Sequence, residues 1–272
     1  MTTLDRSTGS TTGSTTGTGA FAPAPGAASV GRQLVAQASM EARLMLRNGE
    51  QLLLAVVIPV IVLVGAVRGA ERVDIGLSGP PVDVLTPGVL ALAVMSTSFT
   101  SLAIATGFER RYGVLKRLGT APLSRGTLLG GKVVALVLVQ ALQFLVIGGV
   151  GLALGWRGPD GVASVAALVL VTLAGTAAFA SLGMLLAGSL RAEATLAAAN
   201  LVYLLLLAGG AVVLPAENYG GLGDVVRWLP SGALGEAVRS ACDGVLAVRD
   251  LLVLVAWAAA GTALTARTFT WE

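Results

Sequence analysis

Residues 51–67, 84–107, 133–155, 162–190, 194–214 and 251–266 contain no Asp, Glu, Lys or Arg. A helix crossing the hydrocarbon of a bilayer needs about 20 mostly apolar residues. The inner four stretches meet that length, and the first and last fall slightly short. Short spans are completed by flanking residues or local thinning of the bilayer. The chain as a whole is 55% hydrophobic and 12% charged, whereas soluble domains carry about a quarter charged residues. A soluble chain of 272 residues has too little interior to hide so much apolar surface. The fold class expected is therefore all-α: a polytopic membrane protein with six transmembrane helices.

The segments between and around these runs set the rest of the layout. Residues 1–30 are a Thr, Gly and Ser tract followed by APAPGAA. That composition buries too little to offset its ordering entropy, so a disordered cytoplasmic tail is expected, and no signal-peptide pattern is present. Residues 31–272 form the membrane domain. Over 31–50, Leu34, Val35, Ala38, Ala42, Met45 and Leu46 recur at helical spacing among Arg32, Gln37, Glu41, Arg43 and Arg47. This pattern predicts an amphipathic helix lying in the membrane interface. Thr86 and Pro87 offer an N-cap and first-turn pair for the second span. Between the last two spans, Leu222, Val225, Val226, Trp228 and Leu229 precede Pro230. After it, Leu234, Val238, Ala241, Cys242, Val245 and Leu246 share a helical face. Two short amphipathic helices broken at Pro230 are expected there, as a re-entrant or interfacial hairpin on the outer side.

Charge sets the orientation. With the N-terminus inside, segments 1–50, 108–132, 191–193 and 267–272 hold twelve of the eighteen basic residues and six of the fifteen acids. The 108–132 loop alone has six basic residues and one acid. The positive-inside bias acts on loops this short, so both termini are expected to be cytoplasmic.

Several chemistries are excluded. Histidine is absent and Cys242 is the sole cysteine. No His-based nucleophile pair, imidazole metal site or intrachain disulfide can form, and Cys242 reads as a small buried apolar residue. The string from Gly126 to Gly131-Lys132 imitates a phosphate-binding loop. Val133 stands where Ser or Thr should meet magnesium, and no strand precedes it. Lys132 is placed instead at the cytoplasmic interface, and the chain is expected to bind no ATP. Ser231 is read as a helix N-cap after Pro230. The spans offer only Gln140, Gln143, Asn200, Tyr203 and a Ser96–Ser101 hydroxyl cluster. These are expected to make interhelical hydrogen bonds. Ion-coupled transporters place ionisable groups at membrane depth, so an energy source outside this chain is favoured.

LTPGVLAL at 85–92, FERRYGVLKRLGTAPLSR at 108–125 with Gly131-Lys132, the Leu229-Pro230 to Asp243-Gly244 stretch and the closing FTWE together resemble the ABC-2 type transport permease family. That family includes bacterial drug, antibiotic, lipid and polysaccharide exporters. The resemblance implies six spans and an interfacial N-terminal helix. It also implies a coupling helix between spans two and three that docks on a separate cytosolic ATP-binding subunit. ATP and magnesium would belong to that partner, and the chain itself would need no cofactor. Two permease subunits would form the pathway in the bacterial plasma membrane. No nucleic-acid partner is expected. The coupling element would comprise Glu109, Arg110, Arg111, Gly113, Leu115, Lys116, Arg117, Leu118, Pro122, Leu123, Ser124 and Arg125. Leu115 and Leu118 would enter the partner's groove, Arg111, Lys116 and Arg117 would surround it, and Glu109 would orient the helix at the membrane edge. The alternatives are a secondary transporter or channel-like bundle driven by an ion gradient, and an assembly or sensor subunit with no substrate path.

The orientation carries a direct test. A reporter active only in the cytoplasm, fused after Glu272, should give signal, and activity confined to the cell exterior would overturn the topology.

Overall fold

The fold comes from a computed structural model that describes residues 28–47, 49–73, 76–114 and 124–268. The Thr-rich tail up to residue 27, Leu115, Lys116, Arg117, Leu118, Pro122, Leu123 and the terminal FTWE lie outside the described residues. Every regular element among the described residues is helical. Helix α1 spans Val30–Arg47 and α2 spans Gly49–Ala70. Helix α3 (Pro81–Met95) runs through a π-helical turn, Ser96–Ser101, into α4 (Leu102–Arg111). Helix α5 is Arg125–Ala153, α6 is Gly161–Ser189 and α7 is Ala192–Gly209. A 3-10 stretch, Ala216–Leu222, and one turn, Gly223–Val226, lead to α8 (Pro230–Cys242) and α9 (Val248–Thr268).

Among the described residues five rods are long and apolar enough to cross a membrane: Pro81–Arg111, Gly126–Ala153, Gly161–Ser189, Ala192–Gly209 and Val248–Thr268. The apolar part of α2, Ala55–Ala70, is shorter. Helix ends depart from the apolar runs for local reasons. The second run was expected to start at Thr86-Pro87, but its helix starts at Pro81. Pro80 and Pro81 fit a helix start, because the missing N–H has no intrahelical partner there anyway. Thr86 is fully buried and Pro87 lies inside the helix. Helix α5 begins at Arg125, eight residues before Val133 (133 − 125 = 8). The Ser124 hydroxyl caps it by accepting from the Thr127 amide at 3.1 Å, which satisfies an otherwise unpaired donor. Twenty-nine residues rise about 44 Å, against a hydrocarbon core of about 30 Å. Helix α5 is therefore longer than the apolar layer is thick.

The α3–α4 rod is the most buried span and α7 and α9 are the least buried. Helices α2, α5, α6 and α8 pack around α3, α9 lies along α6, and α1 lies along α5. Of the side chains expected to bridge helices, Gln140 and Gln143 do so, while the Thr100 hydroxyl is buried with no hydrogen-bond partner among the described residues. Gln140 donates to Ser98 Oγ at 2.7 Å and accepts from Thr176 Oγ1 at 2.9 Å. Gln143 accepts from Thr97 Oγ1 at 3.0 Å and donates to the Ala55 carbonyl at 2.8 Å. The two glutamines of α5 thus tie the π turn to α6 and α2.

Opposite the α4–α5 loop, α7 stops at Gly209, short of the expected Leu214. Residues 210–213 are buried and non-helical, with Ala211 at φ 53°. Non-helical backbone survives at membrane depth only when its polar groups are covered. Arg239 covers them: its guanidinium donates to the carbonyls of Ala211, Val212 and Val213, each at 3.3 Å. Glu236 holds the guanidinium at 3.2 Å and accepts from the Ala216 amide at 2.9 Å. Gly235 admits the segment, since a Cβ there would stand 2.7 Å from the Val212 carbonyl oxygen.

The helices broken at Pro230 are present, with two corrections. Leu229, not Ser231, is the N-cap residue of α8. Ser231 is fully buried in the first turn, against the Gly210 backbone. Val245 and Leu246 lie past the helix end and are exposed, so the inward face is Leu234, Val238, Ala241 and Cys242. Burial pushes the Cys242 thiol up to about 12, with the Asp243 charge adding to it, so it stays neutral and inert near pH 7. Trp257 of α9 donates to the Trp228 carbonyl at 2.9 Å.

Arg239 is the main cover for the 210–213 backbone. Arg239→Met should lower unfolding stability by roughly 3 kcal/mol through unsatisfied carbonyls, and Arg239→Lys should recover only part, because an ammonium lacks the planar fork. Thermal unfolding of the purified protein in detergent measures this, and an unshifted midpoint for the methionine variant would exclude the role.

Candidate functional site

Charged residues concentrate where α4 ends and α5 begins. Three consecutive side chains at the end of α4 reach three different helices. The Lys132 ammonium of α5 donates to Glu109 Oε1 at 2.7 Å. Arg110 donates to the carbonyls of Ala187 and Gly188, at 2.8 and 2.7 Å, in the last turn of α6. Those carbonyls have no helical partner and carry the negative end of the helix dipole, so a guanidinium is well placed there. Arg111 pairs with Glu193 in the first turn of α7. Both are half exposed, so this last pair contributes little, typically under about 1 kcal/mol.

The Lys132 contact belongs to a larger cluster. The same ammonium lies 3.0 Å from Glu41 Oε1 of α1. Gln37 donates to that oxygen from one turn earlier, at 3.0 Å. The side chains of Lys132, Glu41 and Glu109 are 5%, 8% and 22% exposed. One ammonium therefore joins α1, α4 and α5 away from water. The lysine expected at the cytoplasmic interface is thus paired with two carboxylates and buried. Glu109, near the end of α4, forms its ion pair with Lys132 across the base of the loop.

The glycines of the phosphate-loop-like string gain a packing role. A Cβ at Gly130 would stand 3.0 Å from Leu34 Cδ1, and one at Gly131 would overlap the Gln37 side chain. The Gly130-Gly131 pair lets α1 lie against α5 closely enough for Glu41 to reach Lys132. The expected stripe on α1 is also split. Ala38 and Ala42 face protein together with Gln37 and Glu41, while Val35, Leu44 and Leu46 point outward.

The loop is framed at both ends. Gly113 adopts φ 68° just past α4, a conformation that suits glycine. At the other end Ser124 caps the helix opened by Arg125. Of the expected contact residues, the structure brings Glu109, Arg110, Arg111, Gly113, Ser124 and Arg125 to one base. Leu115, Lys116, Arg117, Leu118, Pro122 and Leu123 lie outside the described residues. Reading the sequence missed Glu41 and Gln37. Their available signal was two polar residues a turn apart, beside Ala38 and Ala42, on a helix otherwise patterned for lipid. The described side chains at this base are ion pairs and hydrogen bonds without a nucleophile–base pair, and what they can do is hold the ends of the loop against four helices.

Searches with the chain support one grouping. The family model described as ABC-2 family transporter protein matches residues 82–267, more than half of the chain. No curated protein matches it.

The buried cluster sets a non-additive expectation. Lys132→Met alone leaves two carboxylates facing each other without a counter-charge and should cost about 3–5 kcal/mol. Adding Glu41→Gln and Glu109→Gln to that variant should recover most of the loss. Denaturation in detergent reads both, and a triple variant weaker than Lys132→Met would contradict the pairing.

Proposed function

The chain belongs to the ABC-2 family of transporter proteins, and on that premise we propose that it is the six-span permease subunit of an ATP-driven exporter. In this reading α2 is the first span, completed by flanking residues, and α1 lies at the cytoplasmic interface. The loop between α4 and α5 docks on a separate cytosolic ATP-binding subunit, which supplies ATP and magnesium. A second permease subunit completes the pathway. The cargo is amphipathic or lipid-like, in keeping with spans that offer it hydroxyls and amides but no charge.

The observation that carries the reading is the anchoring of Glu109, Arg110 and Arg111 to α5, α6 and α7. A loop whose base is tied to several spans passes an applied push to all of them. A loop that only set topology would need no such ties. ATP drawing two nucleotide-binding subunits together would move the loops and bias the spans from inward- to outward-facing. Such a shift is limited to the differential affinity of ATP for the two states. The absence of charged side chains within the six apolar runs argues for this external drive, since gradient-driven carriers use ionisable groups at that depth.

The test is a pair of substitutions at the loop tip. Leu115→Asp with Leu118→Asp should leave membrane insertion intact, release the copurifying ATP-binding subunit and abolish export. Retained copurification and export in the double variant would refute the docking role.

A further inference from the structure

Helix α1 presents an unusual pair of faces. Its protein side carries Gln37, Ala38, Glu41 and Ala42. Its outward side carries Val35, Leu44 and Leu46. In a membrane the outward residues meet lipid, so the sole charged group on the protein side is Glu41. The facing Gly130-Gly131 backbone leaves room for the Leu34 and Gln37 side chains, and Met45 packs against the cluster of Leu102, Leu136 and Ala180. To that packing the Glu41–Lys132 pair at 3.0 Å adds a directional, charged link between α1 and α5. The same ammonium holds Glu109 at 2.7 Å, and Glu109 is four residues from Gly113, where the loop opens.

We infer that Glu41 is a positioning residue for coupling, the group through which displacement of the α4–α5 loop is carried into α1. The inference rests on the coupling role proposed above. The path is short: loop base, Glu109, Lys132, Glu41, α1. Each link is a charged hydrogen bond held out of water, where such contacts are stiff. Helix α1 then moves with the spans as part of the machine, and its apolar face shifts in the lipid interface at each cycle. Removing Glu41 leaves Glu109–Lys132 in place, so the loop base keeps its anchor while α1 is released.

The chemistry of the chain makes this measurable. Cys242 is the only cysteine, and it is buried and unreactive, so a new surface cysteine is the single thiol that labels. Ser39 on α1 and Tyr112 beside the loop are both exposed. Ser39→Cys and Tyr112→Cys are introduced separately into the full chain with its ATP-binding subunit, in inverted membrane vesicles. Labelling by a membrane-impermeant maleimide is timed with and without ATP and vanadate. With Glu41 present, both reporters should change rate on nucleotide trapping. Glu41→Gln should abolish the change at Ser39→Cys and keep that at Tyr112→Cys, which also shows that the protein remains folded. The exchange Glu41→Lys with Lys132→Glu keeps the two-to-one charge ratio and should restore the Ser39→Cys response. The inference is overturned if Ser39→Cys still responds in Glu41→Gln, or if it never responds while Tyr112→Cys does. It is equally overturned if Glu41→Gln silences both reporters and the exchange restores neither. Silence of both with Glu41 present would remove the coupling role itself.

Discussion

One ammonium, that of Lys132, holds Glu41 and Glu109 from two other helices out of water, and the arrangement at that end of the bundle follows from it. An ion taken from water is costly unless its partners are close and well oriented. Two carboxylates within 3.0 Å supply that, at the end of helices longer than the hydrocarbon is thick. The cluster therefore fixes where α1 crosses α5 and where α4 ends. Gly130 and Gly131 are required by the same geometry, since a larger residue would hold Glu41 out of reach.

The middle of the bundle is joined differently. Gln140 and Gln143 link the π turn to α2, α5 and α6 through neutral hydrogen bonds. Such bonds between membrane helices average about 0.6 kcal/mol each, well below the several kcal/mol at stake in a buried charge cluster. Phe99 and Phe179, edge to face at 6.3 Å, add packing at the same level. The helices are thus tied firmly at their charged ends and weakly at mid-depth. Weak neutral links can be exchanged for one another as helices shift, whereas an unpaired charge at that depth would block such movement. The scarcity of charge in the spans is in this sense a mechanical property as well as a solvation requirement.

The sequence made the apolar rods legible because lipid enforces a simple rule, about 20 residues without a charge. It located Gln140 and Gln143 as bridges for the same reason, since an amide in hydrocarbon must find a partner. It misplaced helix ends wherever local chemistry outran hydropathy. The helix start at Pro81 lies five residues before Thr86, and the Ser124 cap nine before Val133. Composition cannot see either, because a helix continues into polar sequence without penalty once capped. The Leu229 cap shows the converse, a boundary set by Pro230 with no capping side chain. Glu109 was found through its neighbours in the loop. Glu41 was not, because its partner is 91 residues away (132 − 41 = 91) and the local signal, its place one turn after Gln37 beside two alanines, names no partner. The pairing of Lys132 was not legible either, because a lysine near a span end usually reaches toward water, and here two acids hold it.

The two ends of the bundle are secured by different cations for a physical reason. At the far end Arg239 serves three successive carbonyls, a task for a planar fork with several fixed donors. At the loop end Lys132 serves two single oxygens from different helices, which a compact ammonium on a flexible stem can follow as they move. Between them runs one continuous rod, Pro81–Arg111. Near its start Gly88 lies against the Val213 carbonyl of the strained segment, and near its end Glu109 grips Lys132. A displacement of the loop base therefore reaches the 210–213 backbone along a single helix, without passing through side-chain contacts in series. Between Gly88 and Glu109 the π turn at Ser96–Ser101 interrupts the regular i to i−4 ladder, as Pro87, which has no N–H, does nearer the start, and helices bend where that ladder is broken. It lies beside Gln140 and Gln143, whose neutral bonds can be remade. The rod's least regular turn thus sits where its neighbours hold it least tightly, and any bend between the two secured ends is concentrated there.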